Sequence, residues 1–222
     1  MKMLLTGILA LTTSAAFAQS LTVDQLASLM TNNKSSLESV NPGMTKKVVA
    51  TGVFSPEENV TCDYTQTSIQ SVLKIEGDKI IVLSQEEFVP GKHLGCAGLE
   101  RTTQTMIFFE DKPSLAQDLE DLKASNAKSI VKNGDIVSMV VSGTITDENG
   151  AETTSDVAIQ YNITKSSFRN MVSTEAAGYK AVTTDMADID VNSVDLKKVL
   201  FCPDSEAAAE ECMEGDFSDI LF

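Results

Sequence analysis

The chain has 222 residues, with 17 Lys and Arg against 32 Asp and Glu, a formal net charge of −15. Its composition, 42% hydrophobic and 22% charged, is that of a globular protein. So acidic a chain lacks the basic footprint that nucleic acid or an anionic membrane surface requires. A single His and no Trp argue against His-rich metal centres, a His-pair metalloprotease and the aromatic platforms of a glycosidase.

The N-terminus reads Met1-Lys2-Met3, an apolar run from Leu4 to Leu11, and then Ala16-Phe17-Ala18. A positive end, a short apolar core and a small-x-small site make residues 1–18 a secretory signal, cut between Ala18 and Gln19. The apolar run falls short of the about 20 residues that span a bilayer. No Cys lies near the cut to take a lipid anchor. The expected product is a soluble, monomeric protein of a bacterial periplasm or exterior. An even number of cysteines in an exported chain implies two disulfides. Proximity favours Cys62 with Cys96 and Cys202 with Cys212 among the three possible connectivities. No Cys-x-x-Cys occurs, which argues against a four-thiolate zinc site and a thiol–disulfide exchange motif.

Leu26, Leu29, Met30 and Leu37 recur at helical spacing, and Asn41-Pro42-Gly43 ends the pattern, so the first helix is expected over roughly 22–39. Strands follow at 47–54 and 60–75. In the second, apolar residues shift from even positions (Val60, Cys62, Tyr64) to odd ones (Ile69, Leu73, Ile75), which predicts a bulge or break near 66–68. Ile80 to Leu83 returns as a hairpin partner, 90–95 is a loop, and 99–109 is a strand with Arg101, Thr103, Thr105, Ile107 and Phe109 on one side. Leu115, Leu119 and Leu122 mark a second helix that begins at Pro113-Ser114 and carries Asp118, Glu120 and Asp121. Strands are expected again at 129–132, 136–146, 154–164, 167–174, 179–184 and 188–192. Asn133-Gly134, Asp147–Gly150 and Ala177-Gly178 form their turns. The stretch Glu206–Glu211 reads as a helical turn or two inside the Cys202–Cys212 loop.

This pattern is α+β: a mainly antiparallel curved sheet, a half-barrel or open barrel, with an N-terminal helix and one inserted helix. It divides as a β-rich domain over 19–201 and an acidic, disulfide-closed tail over 202–222. The terminal Phe222 does not make an outer-membrane barrel strand, because Ile220, Ser218, Asp216 and Glu214 fail to alternate apolar and polar.

The C-terminal third carries a hairpin at 147–150, then Tyr179-Lys180-Ala181-Val182, Ile189-Asp190-Val191-Asn192 and Val194 to Phe201. This order resembles the ending of the periplasmic lipoprotein-carrier and lipoprotein-like half-barrel families. The first helix ahead of the sheet and a helix between two blocks of strands are similar too. The resemblance implies a strongly curved sheet, closed on its concave side by helices, around an apolar cavity for acyl chains. The net charge and the cysteine-closed tail depart from that pattern, and no site residue is carried over.

Elsewhere chemistry is sparse. Ser71-x-x-Lys74 and Ser125-x-x-Lys128 match a Ser–Lys pair, but Ser71 sits in a strand and Ser125 ends a helix. His93 in its Gly-rich loop has no evident nucleophile or orienting acid. Glu86/Glu87 and Asp185/Asp188 are possible carboxylate pairs. Asp185, Asp188, Asp190 and Asp195 lack the spacing of a calcium loop. The expected function is therefore non-enzymatic and needs no cofactor or metal. It is an exported binding protein that holds an apolar ligand, a lipid or lipidated partner, in a space lined by Met30, Phe109, Leu119 and Ile159. The alternative is a disulfide-stabilised interaction domain that engages a protein partner through its acidic surface, without a cavity. Because charge keeps such a chain dispersed, turbidity across a pH series should show a solubility minimum near the sequence pI of about 4.4. Full solubility there would show that surface charge is not what keeps the molecules apart.

Overall fold

Runs rich in Val, Ile, Thr and Tyr, punctuated by glycines, build one twelve-stranded sheet in the computed structural model, which describes residues 18–57, 60–146, 152–204 and 211–218. In chain order the elements are β1 (Gln19–Ser20), α1 (Val23–Asn32), α2 (Lys34–Leu37), β2 (Thr45–Glu57), β3 (Val60–Glu76), β4 (Lys79–Pro90) and β5 (Thr102–Asp111). Then come α3 (Leu115–Ala124), β6 (Ala127–Asn133), β7 (Ile136–Thr146), β8 (Glu152–Asn162), β9 (Met171–Ala176), β10 (Tyr179–Asp185), β11 (Lys197–Phe201) and β12 (Met213–Asp216). In space the strands run β1-β6-β7-β8-β9-β10-β2-β3-β4-β5-β11-β12. Neighbours are antiparallel except β5 and β11, which are parallel. The fold is α+β, a large mixed sheet that is not closed into a barrel.

Several expected boundaries move, each for a local reason. The single helix over 22–39 is two helices. Thr22 and Gln25 form a reciprocal capping box at its start. Asn33 ends the first segment, its amide donating to the Leu29 carbonyl at 2.9 Å. No break occurs at 66–68. Strand β3 runs straight through, with Cys62 and Tyr64 on one face and Ile69 and Leu73 on the other, as an unbroken pleat requires. The irregularity lies between Val72 and Lys74 instead, and it returns Ile75 to the Val72 face, opposite Ile80. The segment 188–192 is not a strand: a 3₁₀ turn over Val191–Ser193 is capped by the Asp190 carboxylate. The strand expected over 167–174 begins only at Met171. The tail beyond Cys202 contributes β12, paired with β11. Residues 1–17, the hairpin tip 147–150 and residues 206–210 of the helical turn expected over 206–211 lie outside the described residues. Among the described residues no helix is long and apolar enough to cross a membrane.

Register defines the two faces. Ile159, Thr174, Ala181, Ala50, Gln66 and Phe88 lie opposite one another in turn from β8 across to β4, so their side chains share one face. The helices cover one end of that face, where Leu26, Met30, Leu37, Leu115 and Leu122 pack on Ile130, Val137 and Tyr161. At the other end Val72, Ile80, Val82 and Phe108 are covered by Val40, Phe168 and Cys202. The opposite face of β3–β5 carries Leu73, Ile81, Leu83 and Ile107 under Leu196 and Val199. Gly43, at φ +90°, lies in the turn two residues before β2; a Cβ there would lie 2.7 Å from the Ile189 carbonyl oxygen, so only glycine lets the 186–190 segment lie against it.

Both cysteine pairs are disulfides. Cys62–Cys96 ties β3 to the turn after β4 across 34 residues, and Cys202–Cys212 joins β11 to β12 across 10. Loop-closure entropy makes the longer loop worth about 4 kcal/mol and the shorter about 3. Denaturant unfolding of the Cys62→Ala/Cys96→Ala and Cys202→Ala/Cys212→Ala proteins should show the first pair costing more. Equal or inverted costs would refute loop closure as the source of the stability.

Candidate functional site

The helix layer meets the sheet over β7 and β8, and beside that junction lies a cleft of about 500 Å³. Its floor comes from the period-two alternation of the two strands: Met139 and Val141 on β7, Ile159 and Tyr161 on β8. Met30 of α1 and Leu122 of α3 form one wall. The other wall is the β8–β9 loop, with Ser167 and Asn170, and Met171 at the start of β9.

That loop is held from both sides. The Ser167 N–H donates to the Leu37 carbonyl at 2.8 Å, and the Ser166 hydroxyl donates to the Ser39 carbonyl. Arg169 Nε donates to the Thr45 carbonyl at 3.0 Å, and its guanidinium pairs with Asp188 at 2.5 Å. Phe168 is driven into the core between them. The loop thus bridges α2 and β2, which sets the width of the cleft.

The polar groups of the cleft are acidic. Asp118 and Asp121, three residues apart, project from one flank of α3, and Ser125 follows on the same side. Asp118 accepts from the Ser167 hydroxyl at 3.2 Å, and Asp121 accepts from Gln117 at 2.9 Å. Partial burial pushes the Asp118 carboxyl above the ordinary aspartate range. The Ser167 hydrogen bond opposes the shift, and the charges of Asp121 and Glu38 add to it. Burial, then the Asp118 charge, likewise raises the Tyr161 hydroxyl. Among the described residues no Lys, Arg or His lines the cleft.

Of the four lining residues expected from sequence, Met30 and Ile159 line this cleft. Leu119 is half-buried and packs against the same helix–sheet cluster without lining the cleft. Phe109 is elsewhere: it lies on the opposite face of the sheet, edge-on to Phe201 at 5.6 Å. Sequence reasoning missed Met139, Val141, Tyr161, Asp118 and Asp121 as lining residues. The signals were present, an apolar alternation through β7 and an acidic flank at i, i+3 on α3, but neither says that the two meet.

The carboxylate, Ser–Lys and His candidates named from the sequence have local partners. Asp185 pairs with Lys165 at 2.5 Å, Asp190 caps its 3₁₀ turn, and Asp195 accepts from the Lys197 N–H. Glu86 and Glu87 sit on opposite faces of β4 as strand neighbours must, Glu86 accepting from Gln66, Ser84 and Gln104. Ser71 bonds to Thr45 at 2.9 Å while Lys74 pairs with Glu76, and Ser125 donates to the Leu122 carbonyl while Lys128 pairs with Asp156. His93 Nδ1 accepts the Gly95 N–H, so its Nε2 carries the hydrogen that faces Asp63 at 2.5 Å. Cys96, close to both, is committed to its disulfide. Lys46 lies over the Phe168 ring at 4.3 Å; burial lowers its ammonium, against the pull of Glu110, whose own carboxyl burial raises.

No family model, curated protein or solved structure matches this chain.

A raised carboxyl means that the folded state holds the Asp118 proton more tightly than the unfolded chain does. Stability from this group is therefore present at low pH and is lost as pH rises through the folded value. Asp118→Asn keeps an acceptor for Ser167 and removes the charge. Urea unfolding should show the variant more stable than wild type at pH 7, with the difference shrinking toward pH 4. A variant less stable at pH 7 would mean that the ionised carboxylate contributes more through its hydrogen bond than burial takes away.

Proposed function

We propose that this protein is an exported, non-enzymatic binding protein that holds an apolar ligand, a lipid or lipidated partner, between its helix layer and its sheet. The observation that carries this is the cleft itself. Its volume of about 500 Å³ lies within the usual range of small-molecule sites, and its floor and wall are Met, Val, Ile, Leu and Tyr side chains. Two disulfides fit an oxidising compartment, in keeping with the signal-like N-terminus. The element order, a helix, a block of strands, an inserted helix and a second block, agrees with the half-barrel carrier families that the C-terminal third resembles. On this reading the sheet curves around the ligand and α1 and α3 act as its cover. Each methylene buried from water would contribute about 0.8 kcal/mol to binding.

Titration with the neutral dye N-phenyl-1-naphthylamine tests the reading. Wild type should enhance its fluorescence with one saturable site. Ile159→Trp, which fills the floor, should weaken the dye at least ten-fold, and Ile159→Ala should retain it. Near-ultraviolet circular dichroism reports whether each variant is folded. Absence of saturable uptake by wild type, or equal uptake by a folded Ile159→Trp protein, would refute a ligand-holding cleft.

A further inference from the structure

The cleft pairs an apolar floor with a lip of one sign. Asp118 and Asp121 line it, Glu38 adds its charge to Asp118, and none of its lining residues is a cation. The hydrogen bonds to the two aspartates come from the neutral groups of Ser167 and Gln117, so among the described residues neither carboxylate is held in an ion pair. Several acids elsewhere on the molecule do have cationic partners: Asp185 has Lys165, Asp188 has Arg169 and Asp156 has Lys128. Here two carboxylates three residues apart face an apolar cleft with no cation among its described lining residues, and the nearby Glu38 is paired with Lys34.

Low-dielectric walls strengthen whatever charge interaction occurs beside them. A ligand bearing an anionic head would bring a third negative charge against Asp118 and Asp121. A neutral head would leave them as they are. A positive head would satisfy both while its apolar body lies on Met139, Val141 and Ile159. Three methionines, Met30, Met139 and Met171, line the space, and their unbranched side chains adapt to bodies of different shape. Resting on the binding reading above, we infer that the cleft selects amphiphiles with a cationic head, amine-bearing molecules with an apolar body, over neutral and anionic lipids. Asp118 and Asp121 are the residues that set this selectivity.

The test displaces N-phenyl-1-naphthylamine with three ten-carbon chains below their micelle concentrations at pH 7: decylammonium, 1-decanol and decanoate. Decylammonium should displace the dye at a concentration at least ten-fold lower than decanoate, with 1-decanol between. In Asp118→Asn/Asp121→Asn the gap should fall to about three-fold or less. Asp24→Asn/Glu120→Gln removes the same formal charge from exposed positions outside the cleft and should keep the full gap, which separates a local lip from the general pull of an acidic protein. High salt should narrow the wild-type gap. If the double variant does not fold, the exposed Asp121→Asn alone should narrow it in part. Equal displacement by all three chains, tighter binding of decanoate, or an undiminished gap in a folded double variant would overturn the inference and leave the binding reading standing. If wild type takes up no dye at all, it is the binding reading that fails.

Discussion

Among the described residues, twelve strands in one hydrogen-bonded row present far more sheet face than three α-helices of ten, four and ten residues can cover. Strand side chains alternate between faces, so every apolar position left uncovered is exposed to water at a cost of roughly 25 cal/mol per Å². The fold meets this constraint in three ways. The helices take the β6–β8 end. Val40, Phe168 and the Cys202 disulfide take the β3–β5 end of the same face. Between them the row passes through Thr174, Ala181, Ala50 and Gln66, small or polar residues that offer little apolar area to cover, the two alanines being buried.

The loop between β8 and β9 joins these solutions. It places Phe168 in one core, donates to the last turns of the helix layer and anchors Arg169 to the start of β2. Because the same eight or so residues also form a wall of the cleft, the space beside Tyr161 is a consequence of how the sheet is covered. A helix layer with its own apolar stripe satisfied on Ile130 and Val137 leaves the acidic flank of α3 turned toward Met139 and Ile159. The cleft therefore joins carboxylates and methionines, with no Lys, Arg or His among its described lining residues.

Much of the architecture was legible in the chain because it rests on local rules. Glycine-marked turns, the alternation through 136–146 and 154–162, the helical spacing of Leu26, Met30, Leu115 and Leu122, and the two nearest cysteine pairings all depend on residues close in sequence. The limits were equally physical. Strand β5 is apolar on both sides, with Phe108 facing the helix-bearing side and Ile107 and Phe109 facing away. Alternation shows that Ile107 and Phe109 share a face, and nothing local shows which face the helices occupy, so the pattern by itself does not put Phe109 on the face away from them.

The amino-acid sequence by itself determined the α+β class, the charge, the cysteine partners most easily joined and the two amphipathic helices, because period, composition and proximity are properties of short segments. Only the tertiary structure decided that β11 and β12 extend the sheet, that the bulge falls at Leu73 rather than at 66–68, and that Asp118 and Asp121 border the same space as Met139 and Ile159. Those outcomes depend on long-range register and on which elements compete for a limited sheet face, and the pairing of a strand with a partner a hundred residues away leaves no mark on the residues between them.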